Sequence, residues 1–326
     1  MISNTDLFNI TTEKDFNSLA LEIFSYQYKT NKVYNRWCNL IGRKNVTNVE
    51  QIPFLPISFF RTHDITCFDS NKKEDYFISS GTTNIQRSVH NVLSKQAYID
   101  NTINCFEQFY NDVSTYCYIC LLPNYLEQQH SSLICMMDAF IKRSIYGQSG
   151  FFKENLQDVI QVMEYNESRG IKTMLWGVTY ALLDLIELKK FTLTNTIVFE
   201  TGGMKGKRKE ITKKELHSIL KEGFGVKAIA SEYGMCELFS QAYASADGQF
   251  KSPKQMQISI KSINDYNEKK LINHNGIINI IDLANINTCS FIQTEDIGIQ
   301  NTDGTFEITG RLDHSALRGC NLMYTF

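Results

Sequence analysis

From residue 116 onward, short patterns of buried strands alternate with patterns of amphipathic helices, and the connections between them are short. The predicted strands are 116–122, 171–176, 196–200 and 226–230, and the predicted helices are 131–141, 179–188 and 213–222. Alternation of this kind requires parallel α/β layers, with helices covering the faces of a sheet. Ligands of such sheets bind beyond the carboxyl ends of the strands. The residues that follow each strand are therefore the first candidates for a functional site.

The chain has a different pattern on each side of this region. The elements predicted there are a helix at 12–42, a strand at 75–79, a helix at 95–110, and strands at 257–263, 276–282, 290–294 and 305–308. The fold that these patterns predict is α/β, with stacked layers and a smaller β lobe. The three predicted parts are a helical and extended segment packed on the core (1–74), an α/β core (75–250) and the β lobe (251–326).

Composition excludes several classes of function. The 326 residues have a net charge of −2, so the chain has no overall positive field that would attract nucleic acid. No apolar run is long enough to cross a membrane. The first residues lack a basic region followed by an apolar core, and the nine cysteines are an odd number. We therefore expect a cytoplasmic protein with reduced thiols and no signal peptide.

A hydroxyl-rich loop follows the strand predicted at 75–79. Residues 79–83 have the sequence Ser-Ser-Gly-Thr-Thr, and Arg87 lies four residues beyond them. A glycine among hydroxyl residues lets backbone N–H groups converge on phosphate oxygens, and Arg87 would add positive charge. The loop is not a Walker A motif, which needs Gly-x-x-x-x-Gly-Lys-Ser/Thr. An ordinary turn without a ligand is the alternative.

Two further segments offer carboxylates after strands. Glu237, in the segment Tyr-Gly-Met-Cys-Glu (233–237), stands at a predicted strand-to-helix turn and could bind Mg²⁺ beside phosphates. A first-turn glutamate at a helix N-terminus is the alternative. Asp296 could accept hydrogen bonds from ribose hydroxyls or be a turn carboxylate between strands, and Arg311 could pair with Asp313 at the surface.

Four motifs in this order resemble those of the adenylate-forming superfamily, which contains acyl-CoA ligases, luciferases and adenylation domains. Residues 79–87 resemble its phosphate loop, 233–237 its Tyr-Gly-x-Thr-Glu, 294–296 its Thr-Gly-Asp, and 310–313 its Gly-Arg-x-Asp hinge. Residues 201–203 (Thr-Gly-Gly) fall where the family has a glycine turn that binds adenine. The departures are Asn84 for the second loop glycine, Arg87 for lysine, Cys236 for threonine and Glu295 for glycine.

Within that superfamily the chain is most similar to the LuxE-type acyl-protein synthetases. The segments that carry this likeness are 79–88, 122–133, 202–205 and 318–322. The resemblance implies activation of a fatty acid as acyl-AMP, a thioester on a cysteine that matches Cys320, and transfer to an acceptor protein, either a reductase or a carrier. It also implies that the small C-terminal domain of most relatives, with its adenylation lysine, is absent. A partner, Lys205 or Lys207 could substitute for that lysine.

The resemblance assigns roles to individual residues. The catalytic residues that it implies are Glu237, Arg87 and Cys320, with Mg²⁺ on Glu237. The residues that it implies for ATP are Ser79, Ser80, Gly81, Thr82, Thr83, Gly202, Gly203, Tyr233, Gly234, Asp296 and Arg311. The residues that it implies for the acyl pocket are His130, Trp176 and Tyr180. Core packing is the alternative for Trp176, Tyr180 and the thiol of Cys320, a solvent-facing loop is the alternative for His130, and Cys117 and Cys120 are expected to be core thiols.

These expectations combine into one function and two alternatives. The expected function is ATP- and Mg²⁺-dependent activation of a small-molecule carboxylic acid, followed by acyl transfer to a thiol. The first alternative is a ligase that makes a CoA thioester, as in the related phenylacetate-CoA ligases. The second is a nucleotide-binding subunit without turnover that acts through a partner.

Overall fold

The computed structural model describes residues 4–80, 86–122, 128–153, 155–202, 211–246, 248–262 and 271–312. The helices are α1 (Asn4–Phe8), α2 (Glu13–Thr30), α3 (Lys32–Leu40), α4 (Phe59–Thr62), α5 (Lys95–Glu107), α6 (Ser132–Arg143), α7 (Leu156–Ser168), α8 (Thr179–Leu188) and α9 (Lys213–Phe224). The strands are β1 (Leu55–Pro56), β2 (Asp75–Ile78), β3 (Val89–Val92), β4 (Cys117–Leu121), β5 (Gly150–Phe151), β6 (Thr173–Val178), β7 (Thr196–Thr201), β8 (Ala230–Tyr233), β9 (Ala242–Ala244), β10 (Met256–Lys261), β11 (Gly276–Asp282), β12 (Phe291–Gln300) and β13 (Phe306–Arg311). None of the helices in these ranges is long and apolar enough to cross a membrane.

The central sheet has the strand order β5-β4-β6-β7-β8-β9, and all of its neighbours are parallel except β8 and β9. Every residue of β4 and β6 is buried, as expected for strands covered on both faces. Cys117 and Cys120 lie in β4, and burial raises the pKa of both thiols. The predicted parallel α/β architecture is confirmed.

The second sheet is formed mainly by the C-terminal strands. Its order is β1-β12-β11-β10, with β13 also paired to β12. Its neighbours are antiparallel, except that the short β1 joins β12 in parallel. The N-terminal segment therefore contributes one strand to the sheet of the predicted β lobe. The boundaries proposed at 74/75 and 250/251 stay a prediction.

The prediction of one helix over 12–42 was wrong, because two helices occupy this segment. Asn31 has an extended backbone (φ −86°, ψ 105°) that separates α2 from α3. Its side-chain oxygen accepts hydrogen bonds from the N–H groups of Val33 and Tyr34 and so caps α3. Its amide nitrogen donates to the carbonyl of Thr288, 2.9 Å away. One buried asparagine therefore ends one helix, starts the next and anchors both to the second sheet.

The strand predicted at 226–230 begins later in the chain than expected, since β8 covers Ala230–Tyr233. Gly225, with φ +64°, ends α9 in the left-handed conformation, and the N–H of Val226 returns to the carbonyl of Lys221. Residues 226–229 therefore form part of the connection between α9 and β8. Pairing with β7 begins only at Ala230, opposite Phe199.

The two large sheets meet through a stack of aromatic rings. Phe250 is buried, and its ring centroid lies 5.4 Å from that of Phe306 and 5.9 Å from that of Tyr233. Backbone hydrogen bonds also join Phe250 to Phe306 in both directions. This stack fixes the carboxyl end of β8 against β12 and β13.

Candidate active site

The second and third sequence motifs meet at one carboxylate. Tyr233 ends β8, and its hydroxyl donates to Oδ2 of Asp296 over 2.9 Å. On the other side, Nε of Arg311 lies 3.8 Å from Oδ1 of the same carboxylate. Asp296 and Arg311 are also direct partners in the register of β12 with β13. Three residues that were predicted to bind the nucleotide are thus brought together across two sheets.

Asp296 lies within a strand, so the alternative of a turn carboxylate between strands was wrong. The strand predicted at 290–294 continues to Gln300 in β12. The Asp296 side chain is only 16% exposed. Burial raises the pKa of this carboxyl, while the Arg311 guanidinium and the Tyr233 hydroxyl oppose that rise. A carboxylate that is largely buried gains from accepting hydrogen bonds, and neutral hydroxyl groups can donate them.

Glu295 occupies the position where the superfamily motif has a glycine. Its carboxylate accepts from Nη2 of Arg61 over 2.7 Å and lies 3.4 Å from Nη2 of Arg311. Arg61 belongs to α4, 234 residues earlier in the chain, and the sequence analysis did not identify it. Arg311 therefore lies between two carboxylates with 64% of its side chain exposed, and it is available to a ligand on its open side.

Glu237 does not stand at the start of a helix, so the predicted strand-to-helix turn was wrong. A tight turn, closed by the N–H of Leu238 on the carbonyl of Met235, leads from β8 to β9. Glu237 is 5% exposed, and its carbonyl accepts from Nδ2 of Asn285 over 2.8 Å. The alternative of a helix N-terminal glutamate is thereby wrong as well.

We call residues 235–241 the acidic loop. Asp282 on β11 holds its second half: Oδ2 accepts from the N–H groups of Phe239 (2.8 Å) and Ser240 (3.0 Å). Oδ1 accepts from the Ser240 hydroxyl (2.6 Å) and the N–H of Ala284 (3.2 Å). Both oxygens of this buried carboxylate are occupied, so Asp282 is a structural group of the loop and not a second metal ligand.

His90 on β3 holds the first half of the acidic loop. Nδ1 lies 2.7 Å from the carbonyl of Cys236, and Nε2 lies 2.9 Å from the hydroxyl of Thr288. The imidazole is fully buried, and burial lowers its pKa to about 4. Burial also raises the pKa of the Cys236 thiol, and the neighbouring Glu237 carboxylate raises it further. Neither His90 nor Thr288 belongs to a motif, and neither was predicted from the sequence.

The loop predicted to bind phosphate, which we call the phosphate loop, is the connection between β2 and β3. At its base, the hydroxyl of Ser79 accepts from the N–H of Ser88 over 3.0 Å, and the N–H of Ser79 donates to the Ser88 carbonyl over 3.1 Å. Ser80 precedes the tip, and Arg87 is exposed on the returning side. Gly81, Thr82 and Thr83 lie outside the described residues. The described part is a hairpin with the exposed Arg87 on its returning side.

The glycine turn follows β7. Gly202 has φ +75°, a conformation that favours glycine, and its carbonyl lies 3.2 Å from the hydroxyl of Thr179. The same hydroxyl lies 2.8 Å from Oε1 of the buried Glu200. Gly203, Lys205 and Lys207 lie outside the described residues. Thr179 thus ties the first residue of α8 to the turn that was predicted to contact adenine.

The three residues predicted for the acyl pocket lie in different surroundings. Trp176 is completely buried and stacks on Phe199, with ring centroids 3.9 Å apart. His130 stacks on Tyr76 at 4.0 Å, and its carbonyl accepts from the N–H of Ile78 beside the phosphate hairpin. Tyr180 is half-buried on α8. Their role in binding an acyl group stays a prediction.

Gly234 leaves room for a neighbouring carboxyl group. A Cβ at this position would lie 2.2 Å from Oε1 of Glu232, so any other residue would displace that side chain. Successive residues of a strand face opposite sides, so Glu232 faces away from Tyr233 and toward its cross-strand partner Tyr243. Burial raises the pKa of Glu232 to about 8.

Two further residues of the sequence prediction belong to the C-terminal segment after β13. Asp313 and Cys320 lie outside the described residues, so the expected acyl-carrier thiol has no structural context here. In the ranges that the structure describes, no group of three or more His, Cys, Asp or Glu side chains is arranged to hold a metal. A nucleotide-bound Mg²⁺ needs only one or two protein carboxylates, since phosphate and water supply the other ligands. The single carboxylate of Glu237 fits that requirement.

Comparison with known proteins agrees with this architecture. Residues 4–112 match the profile of the family described as acyl-protein synthetase, LuxE. The chain is 31% identical over 78 residues to the long-chain-fatty-acid–luciferin-component ligase of Photorhabdus luminescens, a stretch that covers 24% of this chain and 67% of that sequence. The chain therefore has sequence relatives among ligases.

Two solved structures show the same fold. The structure of 2-hydroxyisobutyryl-CoA ligase with 2-HIB-AMP in the postadenylation state has a TM-score of 0.66 at 12% identity, over 92% of this chain and 68% of that one. O-succinylbenzoate coenzyme A synthetase from Bacillus subtilis, in complex with ATP and magnesium ion, has a TM-score of 0.51 at 17% identity, over 72% of this chain and 49% of that one. At these identities the similarity establishes the fold of the adenylate-forming ligases.

Proposed function

This chain belongs to the LuxE acyl-protein synthetase family, a family of ligases, and we propose that it uses ATP and Mg²⁺ to convert a carboxylic acid of the fatty class to acyl-AMP. The observation that carries the proposal is the hydrogen bond from Tyr233 to Asp296, with Arg311 on the same carboxylate. It joins two motifs that lie 63 residues apart, one at the end of β8 and the other within β12. A ribose held there would direct its phosphates toward the acidic loop.

The reaction needs charge neutralisation above all. An oxygen of the substrate carboxylate attacks the α-phosphorus of ATP, a new P–O bond forms, and the bond to pyrophosphate breaks. Two anions approach each other in this step, so cations and N–H donors must offset their repulsion. The phosphate loop and Arg87 are the protein groups that we assign to this role. Bound Mg²⁺ would supply further positive charge between the phosphates, with Glu237 as its protein ligand.

Asp296 and Arg311 are assigned to positioning. Asp296 would accept hydrogen bonds from the ribose hydroxyls, and the Tyr233 hydroxyl keeps its carboxylate in one orientation. Arg311, between Glu295 and Asp296, would close over the ribose from the exposed side. A fixed ribose aims the α-phosphorus at the substrate carboxylate, and small errors in such aiming cost large factors in rate.

Exchange of radiolabelled pyrophosphate into ATP tests the first half-reaction directly. Saturated acids of increasing chain length should support exchange by the wild-type chain with Mg²⁺. Asp296→Asn should reduce kcat/KM by about 100-fold, because the carboxylate loses its charge and one of its two acceptor oxygens becomes an NH2 donor. Asp303→Asn, in the turn between β12 and β13, is the matched control and should retain exchange. Loss of exchange with every acid, while the chain stays folded, would contradict the proposal.

For the second half-reaction we propose transfer of the acyl group to a thiol, either Cys320 for delivery to an acceptor protein or a free thiol such as CoA. In either case the thiolate attacks the acyl carbonyl, the C–S bond forms, and AMP leaves with the electron pair of the C–O bond. Intact mass after incubation with ATP and acid distinguishes the two. An acyl adduct that disappears in Cys320→Ser supports the carrier route, and product formed only when CoA is added supports the ligase alternative.

A further inference from the structure

We propose that His90 is a positioning residue that couples the phosphate loop to the acidic loop. The inference rests on the proposed function, because the two loops are the segments assigned to ATP phosphates and to Mg²⁺. It concerns the arrangement of those loops and can be measured in the protein without nucleotide.

His90 is attached rigidly to the phosphate loop. It lies on β3, two residues after Ser88, and is paired across the hairpin with Phe77. Ser88 in turn exchanges hydrogen bonds with Ser79 at the base of the loop. Because β2 and β3 are tied in register on both sides of this point, a displacement of the loop base displaces the His90 backbone with it.

The imidazole ring reaches 146 residues along the chain to the carbonyl of Cys236. A carbonyl only accepts hydrogen bonds, so Nδ1 carries the proton and donates over 2.7 Å. Nε2 is then the acceptor, and the Thr288 hydroxyl donates to it over 2.9 Å. The two contacts define one neutral tautomer with both nitrogens satisfied.

Packing prevents the ring from adopting another orientation. Phe60 lies edge-on at 5.6 Å between ring centroids, and Phe239 lies at 5.2 Å on another side. All three residues are buried or nearly so. A buried ring between two phenylalanines cannot exchange its protein partners for water, so the link to Cys236 is maintained.

The contacts of His90 close a ring of hydrogen bonds around Glu237. Asn285 donates through Nδ2 to the Glu237 carbonyl over 2.8 Å, and the N–H of Thr288 donates to the Asn285 carbonyl over 3.1 Å. The hydroxyl of Thr288 then donates to Nε2 of His90, which closes the ring. The consecutive carbonyls of Cys236 and Glu237 are thus held by two different parts of the chain, one by the hairpin of β2 and β3 and one by the segment after β11. The position of the Glu237 carboxylate depends on both.

Groups that orient a metal ligand without touching the metal commonly change affinity by 10- to 100-fold when they are removed. We therefore expect His90 to influence binding of Mg²⁺·nucleotide more than its effect on folding stability alone would explain. Asn285 and Thr288 complete the arrangement, and His90 connects it to the hairpin.

Two polar substitutions separate this role from simple core packing. In His90→Asn the side-chain amide nitrogen lies near the original Nδ1 and can still donate to Cys236. In His90→Gln the amide lies near the original Nε2, so the Thr288 contact is kept and the Cys236 contact is lost. Thr173→Val, which removes a buried hydroxyl bonded to Asn166 and Ile171 at the start of β6, is the control for loss of buried hydrogen bonds elsewhere in the core.

Hydrogen–deuterium exchange of the nucleotide-free chain gives the first readout. The amides of residues 236–240 should exchange about tenfold faster in His90→Gln than in His90→Asn or Thr173→Val. Equal exchange in this segment for all three variants would overturn the inference, and this holds whether or not the protein binds ATP.

Calorimetric titration with α,β-methylene-ATP and Mg²⁺ gives the second. Affinity should fall about tenfold in His90→Gln and stay within about threefold of wild type in His90→Asn and Thr173→Val, even where their melting temperatures fall equally. If the nucleotide affinity of each variant falls in proportion to its melting temperature, His90 contributes only to packing and the inference is overturned. A wild-type chain that binds no nucleotide would instead count against the proposed function, while the exchange measurement would still decide the role of His90.

Discussion

At the scale of single residues, the site depends on polar groups that are buried with few alternatives to their present partners. Asp296, His90 and Asp282 each have their orientation set by donors or acceptors from a different element. A buried polar group that loses its partner pays the full desolvation cost. Substitutions that remove one atom from such a contact should therefore have measurable effects.

Tyr233→Phe removes the hydroxyl that donates to Asp296. We expect the KM for ATP to rise about tenfold, because a hydrogen bond to a charged group contributes on the order of 1.5 kcal/mol and here it orients the ribose acceptor. Pyrophosphate exchange at varied ATP concentration measures this effect. Tyr28→Phe, whose hydroxyl donates to Asn39 at the surface, is the control and should leave KM unchanged. Equal KM values for the two variants would contradict the assignment of Asp296.

Glu232 should make stability depend on pH. Its pKa of about 8 in the folded chain lies above the ordinary value of 4.5, so the folded state binds a proton that the unfolded state has released. The free energy of unfolding should therefore fall as pH rises between about 5 and 8, by at most about 3.5 kcal/mol in total. Glu232→Gln should abolish that decrease, and Glu222→Gln, at an exposed position on α9, should retain it. Urea unfolding at a series of pH values measures the slope, and identical slopes in wild type and Glu232→Gln would contradict the expectation.

At the scale of elements, patterns along the chain predicted the repeating strands and helices well where burial was strong and local. Helix α8 and strand β11 have the bounds that their apolar runs predict. The pattern failed where one residue decided the outcome, as at Asn31 between α2 and α3. It also missed α7, because only one narrow face of that helix is buried. Local propensity does not reveal which polar residue will cap a helix or find a distant partner.

In the candidate site, too, some residues were predictable from the sequence and others were not. Its motif residues were visible because their type and spacing are local properties of the sequence. Arg61 and His90 were not visible, because neither belongs to a motif. Arg61 contacts a partner 234 residues away, and His90 contacts one 146 residues away. The structural setting of Glu237 was also mispredicted, since the turn after β8 leads to another strand rather than to a helix. Partners that come together only through tertiary structure cannot be read from spacing.

Asn31→Ala tests how the N-terminal helices are attached to the second sheet. The substitution removes the cap of α3 and leaves the buried Thr288 carbonyl without this donor. We expect a loss of about 2 kcal/mol in the free energy of unfolding, about half from each contact. Asn39→Ala, at an exposed position on α3, is the control and should change stability by less than about 0.5 kcal/mol. Urea denaturation distinguishes them, and equal stabilities would show that Asn31 does not anchor the helices.

At the scale of the whole molecule, two sheets and one hairpin converge on the carboxyl end of β8. Phe250 and Phe306 join the sheets, the Tyr233–Asp296 contact crosses the same boundary, and His90 brings in the hairpin. Each sheet alone carries only part of the proposed nucleotide site. The account therefore requires that one ligand touch all three units at once.

A crystal structure of the chain with Mg²⁺ and a 5′-O-acylsulfamoyladenosine, a stable mimic of acyl-AMP, tests this requirement most directly. The account predicts the ribose hydroxyls on Asp296, the adenine beside Gly202, and the sulfamoyl group between the phosphate loop and Glu237. A nucleotide bound elsewhere, or one that contacts Asp296 while the phosphate loop and Glu237 face a different surface, would contradict it.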